Sequence, residues 1–377
     1  MVAYPEAAQR IGKLTPLADA LATIEALARP VAPVEVDIAA ALGRVLAAGV
    51  DASATRPRVP LALRDGWAVK SAETADASSY APALLSALPQ RVDAGAPLPP
   101  GADAVAPLDS IAVRASQAEA LGVVAPGEGV LPAGADMQAG MPLRAAGERL
   151  RATDQALLSM MDISWVAIRE PRIRLVRARA DDPVIAAGYG WLAATLAAEG
   201  AAAVAAPGDE MADHLQAAFH HEGSDAILVL GGTGEGASDI SVLALAKAGR
   251  VAFHGVGLIP GETAAFGIIG ARTVLLLPGR FDAALAAWLT LGRHWLKTLS
   301  AGGEEDRAFM AQLARKVTST IGMAEVVPVR CRGGAAEPLA NGYLSHAALA
   351  RADGWILVPP ESEGYPAGAQ VAVRPLP

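Results

Sequence analysis

The sequence predicts a multidomain protein of the α/β and β classes, with a central, mostly parallel sheet covered by helices on both faces and β-rich pieces elsewhere in the chain. Three observations predict it. Between Arg172 and about Leu299, short apolar runs alternate with amphipathic segments, the mark of repeated β-α-β units. Within that region Asp225-Ala-Ile-Leu-Val-Leu-Gly-Gly-Thr-Gly-Glu-Gly-Ala-Ser-Asp239 runs from an apolar strand into four glycines within six residues, and then into a helical pattern. Outside it the texture changes to short β-like pieces cut by Gly and Pro.

The elements follow in order. Thr15-Pro16 predicts a helix start with a hydroxyl N-cap and proline at the first helical position; Leu17, Ala20, Leu21, Ile24 and Leu27 form its apolar face and Pro30 stops it. Val59 to Val130 reads as a small β-rich domain containing Asp93-Ala-Gly-Ala-Pro-Leu-Pro-Pro-Gly-Ala-Asp-Ala-Val105. A helical pattern returns at Ala152 to Met161. The α/β region then alternates Ile173 to Val176, Trp191 to Ala198, Ala201 to Val204, Ala212 to Phe219, Ala226 to Leu230, Ser238 to Ala248, Val251 to Phe253, Thr273 to Leu277 and Ala283 to Leu296. After a polar link at Ala301 to Asp306, strands such as Trp355 to Val358 and Gln370 to Val373 predict a compact C-terminal β domain.

Composition narrows the chemistry. At 377 residues the chain is too long for one core, and two to four domains are expected. Apolar residues make up 53% of it, yet no run reaches the ~20 uninterrupted residues of a membrane span. The N-terminus lacks a basic region followed by an apolar segment, so a cytoplasmic address is expected. Cys331 stands alone, which excludes a disulfide framework or a CxxC site, and the six histidines do not pair at metal-ligand spacing. A net charge of −8 without a Lys/Arg cluster makes nucleic acid an unexpected partner.

The chemistry is expected on loops. Glycine turns through positive φ and leaves no side chain between backbone and ligand, so Gly231, Gly232, Thr233, Gly234 and Gly236 form a candidate anion cradle at a helix N-terminus. The alternative is a tight connection in which the glycines merely turn. Gly232 to Ala237 also matches G-x-G-x-x-A, but the ribose-binding acidic residue about 20 positions on is missing, as is a P-loop Gly-Lys-Ser/Thr. Ligands of parallel sheets sit beyond the carboxyl ends of the strands, where Pro278-Gly279 also belongs. Asp65, Asp136 and Asp239 each occupy a Gly-bearing loop, a placement that suits Mg²⁺ and equally suits solvated turns.

Taken in order, these loops resemble the molybdopterin molybdenumtransferase (MoeA) family, whose eukaryotic relatives include the second enzymatic domain of gephyrin. Asp65-Gly-Trp-Ala-Val69 resembles its D-G-Y-A-V, and Ala94 to Val105 its T-G-A-P-x-P-x-G-A-D-A-V. Gly134 to Gly140 resembles G-E-D-I-x-x-G, and Gly231 to Asp239 the G-G-V-S-V-G-x-x-D loop. Phe253 to Gly267, with Pro260-Gly261, sits where the family has K-P-G-K-P-x-x-F-G; Leu277-Pro-Gly279, followed by Arg280, sits at L-P-G-N-P. Leu344-Ser345 to Pro359 resembles the C-terminal S-S-L-A-x-A-x-G-x-I-x-L-P.

The resemblance implies four domains per subunit: residues 1-55 with 136-169 an elongated helical and extended N-terminal domain, 56-135 a small β-rich domain, 170-305 a three-layer α/β/α (MogA/MoaB-like) molybdopterin-binding-like domain, and 306-377 a C-terminal β-barrel-like domain. It implies a homodimer with its cleft at the subunit interface, and insertion of molybdate into adenylated molybdopterin with Mg²⁺-dependent release of AMP. It further implies that Asp65, Asp136 and Asp239 are catalytic, with Asp65 and Asp239 holding metal. The cofactor would be bound by Gly231, Gly232, Thr233, Gly234, Gly236, Pro260, Gly261, Pro278, Gly279 and Arg280. A molybdoenzyme or a MogA-like protein is the expected protein partner.

Departures from the family pattern leave a second reading open. The family's threonine falls at Ala94, the glutamate of G-E-D at Ala135, the T-G-D-E strand end at Ala178-Arg-Ala-Asp181, and two lysines at Ile259 and Glu262. A glutamate beside a pyrophosphate repels it. Either Arg64, Arg177, Arg179 and Arg280 replace the lost cations, or the chain is a non-catalytic pterin-binding paralogue that carries cofactor to a molybdoenzyme.

Overall fold

A computed structural model of the chain describes residues 9–179, 182–205, 214–220, 222–303 and 308–377; the expected features at residues 1–6, 180–181, 212–213 and 304–306 lie outside them. The described residues form two compact units, one of residues up to Ala48 with Ala146–Gln155 and Trp165–Pro377, the other of Gly49–Ala145 with Ala156–Ser164.

The larger unit opens with α1 (Leu17–Leu27), whose Leu17, Ala20 and Ile24 are buried. Its N-cap is Pro16, without a side-chain cap bond, and not Thr15. Thr15 is instead bridged to Val256, donating its amide to the Gly255 carbonyl at 3.0 Å, so tertiary pairing overrides the local capping signal.

The central sheet comprises β1 (Arg172–Arg177), β2 (Ala202–Ala205), β3 (Ala226–Leu230), β4 (Arg250–His254), β5 (Ala265–Ile269) and β6 (Arg272–Leu277), in the order β2-β1-β3-β6-β5-β4. The first four neighbours are parallel; β5 runs antiparallel to both β6 and β4. Alternation along the strands decides which side chains meet which helix layer. Ile173, Leu175, Leu228, Leu230, Leu275 and Leu277 join one buried cluster with α1, α2 (Pro183–Ala198), α5 (Phe281–Ala287) and α6 (Arg293–Ser300). Val176, Ile227, Val229, Val274 and Leu276 join another with α3 (His214–His220) and α4 (Ser241–Ala248). The result is the expected three-layer α/β/α domain. Its expected last helix runs from α5 through a π-helical turn, Trp288–Gly292, into α6.

The C-terminal part is a closed five-stranded barrel of β7 (Phe309–Leu313), β8 (Ala324–Arg332), β9 (Ala335–Pro338), β10 (Gly354–Val358) and β11 (Gln370–Pro375). Its circuit is β7-β9-β8-β10-β11 and back to β7. Leu313, Val327, Val329, Ile356, Val358, Val371 and Val373 fill it. Closure pairs the barrel's strand edges, and one short extra ladder, Leu258–Ile259 parallel to Ala324–Glu325, ties β8 to the chain after β4.

The smaller unit is built of short antiparallel ladders, as its Gly- and Pro-cut sequence predicts. Gly66–Val69 is the middle strand between Gln90–Val92 and Ala104–Ala106. The glycine of Asp65-Gly-Trp-Ala-Val has a steric cause, because a Cβ on Gly66 would stand 2.1 Å from the Ala106 carbonyl oxygen. Among the described residues of the whole chain, no helix is long and apolar enough to cross a membrane.

Gly66→Ala is therefore expected to force these strands apart and cost about 1–3 kcal/mol of stability. Urea titration should give a lower midpoint than for the parent protein; an unchanged midpoint would mean that the ladder can shift to admit the methyl group.

Candidate functional site

The chain passes from β1 to the edge strand β2 and returns across β1 to β3, so the connections leaving β1 and β3 diverge at the carboxyl edge of the sheet. Such a switch point opens a crevice where ligands of open α/β sheets bind. The connections meet closely there. A Cβ on Gly231 (φ 95°) would lie 2.7 Å from Ile185 Cδ1 of α2, and one on Gly232 (φ 69°) 2.4 Å from Ser241 Oγ and 3.0 Å from Ala178 Cβ. Gly279, after β6, completes the rim: its Cβ would be 3.4 Å from the Gly231 Cα. At Gly231 and Gly232 only glycine satisfies both the positive φ and this crowding.

The loop's carbonyls are held one by one. Ser241 Oγ donates to the Gly231 carbonyl at 2.9 Å, and the Ser241 amide donates to that of Gly232 at 3.0 Å. His254 Nε2 lies 2.9 Å from the Thr233 carbonyl, which can only accept, so this nitrogen carries the hydrogen. Gln9 Nε2 donates to the Gly232 carbonyl at 2.8 Å and to that of Gly234. A trans peptide points its N–H opposite to its C=O. Holding these four carbonyls therefore turns the amides of Gly232, Thr233, Gly234 and Glu235 away from the groups that hold them. None of the four donates to an acceptor among the described residues, and neither does the Gly279 amide.

Thr233 is buried, its hydroxyl 2.9 Å from that of Thr263. Asp239 closes the loop, accepting the Gly236 amide on Oδ2 at 3.0 Å. The first-turn amides of α4, those of Val242 and Leu243, donate to Gln9 Oε1 at 3.1 and 3.4 Å. A neutral side chain thus fills the helix N-terminus at which the sequence suggests an anion, and the bared amides lie in the preceding loop.

The neighbouring cations are already engaged. Arg280 makes a two-pronged pair with Asp282, at 3.0 and 2.8 Å, and lies over the Tyr343 ring. Asp282 is buried and also accepts the Leu344 amide at 3.3 Å. Burial pushes its pKa upward, but the Arg280 guanidinium and two backbone amides outweigh this and hold it below the usual carboxylate range. Arg177 lies 5.3 Å from the Tyr189 ring centre, and Arg179 pairs with Asp182 at 3.5 Å. At the positions of the family lysines, Ile259 sits in the short ladder with Glu325, and the Glu262 carboxylate accepts the Gly261 amide at 3.0 Å. Pro260 and Gly261 thus form a turn braced by Glu262, and Pro278 leads into Gly279.

In the smaller unit Asp65 is exposed and accepts the Ala94 amide at 2.8 Å, bracing the turn at Asp93-Ala-Gly95. Asp136 is exposed on its own loop. Arg64 donates to the Val105 carbonyl and to Glu128, so it serves the β domain's own structure. Asp103 accepts both the amide and the hydroxyl of Ser71, at 2.6 and 2.7 Å, and the amide bond leads in holding its pKa down. Among the described residues no three His, Cys, Asp or Glu side chains gather into a metal-holding group. Gln9, Ser241 and His254 carry no recognisable motif spacing, which is why sequence reasoning missed them.

Comparison with known families identifies the chain's lineage. Three family models match in order: the MoeA N-terminal region (domain I and II) over residues 15–161, a "Probable molybdopterin binding domain" over 187–298, and the MoeA C-terminal region (domain IV) over 310–376. The chain belongs to the MoeA family. A "Putative molybdopterin biosynthesis protein" of Methanocaldococcus jannaschii is 25% identical over 381 residues, spanning 90% of this chain and 91% of its own. A MoeA structure from Pyrococcus horikoshii superposes with a TM-score of 0.73 at 24% identity, covering 97% of this chain and 100% of that one. A molybdenum cofactor biosynthesis protein from Pyrococcus furiosus gives 0.62 at 20%, covering 96% and 99%. The MoeA-type fold, with its MogA/MoaB-like central domain and C-terminal barrel, and a place in molybdenum cofactor biosynthesis follow.

The depressed Asp282 pKa gives a pH signature. Its contribution to stability is fully present above the ordinary carboxylate value of about 3.9 and is lost as pH falls through its lower folded value. Asp282→Asn should destabilise the protein by about 1 kcal/mol at neutral pH. In denaturant titrations the gap to the parent should close as pH drops below about 4; a gap of constant size would disprove the linkage.

Proposed function

We propose that the protein binds adenylated molybdopterin and inserts molybdate into its dithiolene, with cleavage of the pyrophosphate and release of AMP. The observation that carries this reading is the run of amides at Gly232, Thr233, Gly234 and Gly279, on the carboxyl edge of the central sheet, that donate to no acceptor among the described residues. Such donors suit phosphate or molybdate oxygens, and fixed dipoles stabilise developing negative charge without reorganising. Thr233 and its hydroxyl partner Thr263 add a polar floor.

The family's Mg²⁺ fits the donor chemistry. Magnesium takes one or two carboxylates and fills its other positions with water and phosphate oxygens. Asp239 spends Oδ2 on the Gly236 amide and keeps Oδ1 for a cation. We assign it a metal-holding role; to Asp65, which likewise has one oxygen bonded to the chain, we separately assign a metal-holding role within its own unit, and to Asp136 that of ordering water. When bound, Mg²⁺ would neutralise pyrophosphate charge and polarise the bond to be broken. The chain's own residues bind and orient: the loop amides grip oxygens, and Pro260-Gly261, Pro278-Gly279 and Arg280 are assigned to holding the rest of the cofactor. A homodimer and a cytoplasmic address accompany this reading.

Two observations favour the second reading, a pterin-binding carrier or maturation partner of a molybdoenzyme. Arg280 is neutralised by Asp282, and a glutamate stands where the family has a lysine. Both features weaken attraction for a polyanion.

Incubation with adenylated molybdopterin, Mg²⁺ and molybdate separates the two. AMP release at a rate that rises with protein concentration is the expected result. Tight pterin binding without AMP would establish the carrier, and no binding would overturn both. Gly232→Ala, which drives a methyl group into Ser241, is expected to weaken pterin binding by tenfold or more, about 1.4 kcal/mol; equilibrium titration of cofactor fluorescence measures it.

A further inference from the structure

The residues before α1 lie along the candidate loop. Gln9 is 4% exposed, although it belongs to a polar stretch, Gln9-Arg-Ile-Gly-Lys13, in which Arg10 and Lys13 are exposed. Its carboxamide makes four contacts in two directions. Nε2 donates to the Gly232 and Gly234 carbonyls, and Oε1 accepts from the Val242 and Leu243 amides. The strand of chain is pinned again where the Ile11 amide donates to Glu235 Oε1 at 2.7 Å, and where the Thr15 carbonyl accepts the Gly257 amide at 2.8 Å.

We infer that Gln9 is a positioning residue for the ligand loop: by holding two alternate carbonyls it sets the peptide planes whose opposite sides present the Thr233 and Glu235 amides. This rests on the reading of the loop as the pterin or oxyanion site. The chemistry demands a carboxamide. Only a group with donors on one atom and an acceptor on the other can face two carbonyls and two amides together. A carboxylate would keep the bonds to α4 and even favour them through the helix dipole, but would repel the two carbonyls. An alanine would release the Gly234 carbonyl and leave that of Gly232 to the Ser241 amide alone. Because α4's amides are capped by a neutral oxygen, the helix end also offers no competing anion site beside the loop.

Two variants decide the matter, with adenylated molybdopterin and inorganic pyrophosphate as the probes to be titrated. Gln9→Ala is expected to weaken binding of both by about tenfold or more, and to make trypsin cut faster at Arg10 and Lys13. Gln9→Glu is the discriminating change. If Gln9 only caps α4, Glu preserves the melting temperature and the affinity alike. If it positions the loop, Glu preserves the melting temperature but loses affinity to the same extent as Ala. Bound pyrophosphate should in turn protect Arg10 and Lys13 from trypsin in the parent protein and not in the variants. Unchanged affinity in Gln9→Ala, or full affinity in Gln9→Glu, overturns the inference. Failure of the parent protein itself to bind either probe would instead overturn the reading of the site, so the two failures are distinguishable.

Discussion

A peptide unit cannot offer both of its polar groups to the same side, and the candidate site of this protein depends on that constraint. Four consecutive carbonyls after β3 are tied to Ser241, Gln9 and His254. Each tie fixes the next amide in the opposite sense. The loop is thereby committed to presenting donors, in the way that a preorganised electrostatic site must be committed before its ligand arrives. The glycines are what permit this, because two of them have positive φ and sit against Ile185 and Ser241 with no room for a methyl group.

Charge around the loop is distributed differently from the resembled pattern. Cations present in the vicinity are bound to partners within the chain, Arg280 to Asp282 and Arg179 to Asp182. Glu262 bends onto its own backbone at Gly261. Recognition of a polyanion would then rest more on amide dipoles and on a metal ion than on side-chain cations. Amide dipoles are short-ranged and directional, which favours discrimination by shape over long-range attraction.

Much of this architecture is legible in the residues. The alternation of apolar runs with amphipathic segments marks the β-α-β order, and Asp65-Gly-Trp-Ala-Val69, Gly231 to Asp239 and Leu277-Pro-Gly279 mark the family, because glycine and proline spacings survive where side-chain chemistry drifts. What could not be read is whatever depends on contacts distant in sequence. Gln9 reaches its loop across 223 residues, with nothing in its neighbours to announce burial. Thr15 carries a capping signal, yet its backbone pairs with Val256. Arg280 and Glu262 show their charge in the sequence but not what that charge is spent on. The aspartates are intermediate cases: the Asp-Gly turn at residue 65 is legible, and its bond to the Ala94 amide belongs to the fold.

The two-residue ladder between Leu258–Ile259 and the barrel strand β8 has a consequence for dissecting the protein. Leu258 is fully buried, and its backbone partners come from Ala324 and Glu325. A fragment ending before Phe309 would strip that cover and leave a bare apolar strand edge, the kind that recruits a second copy. The α/β domain and the barrel thus share a ladder whose barrel half is synthesised after the strand it covers.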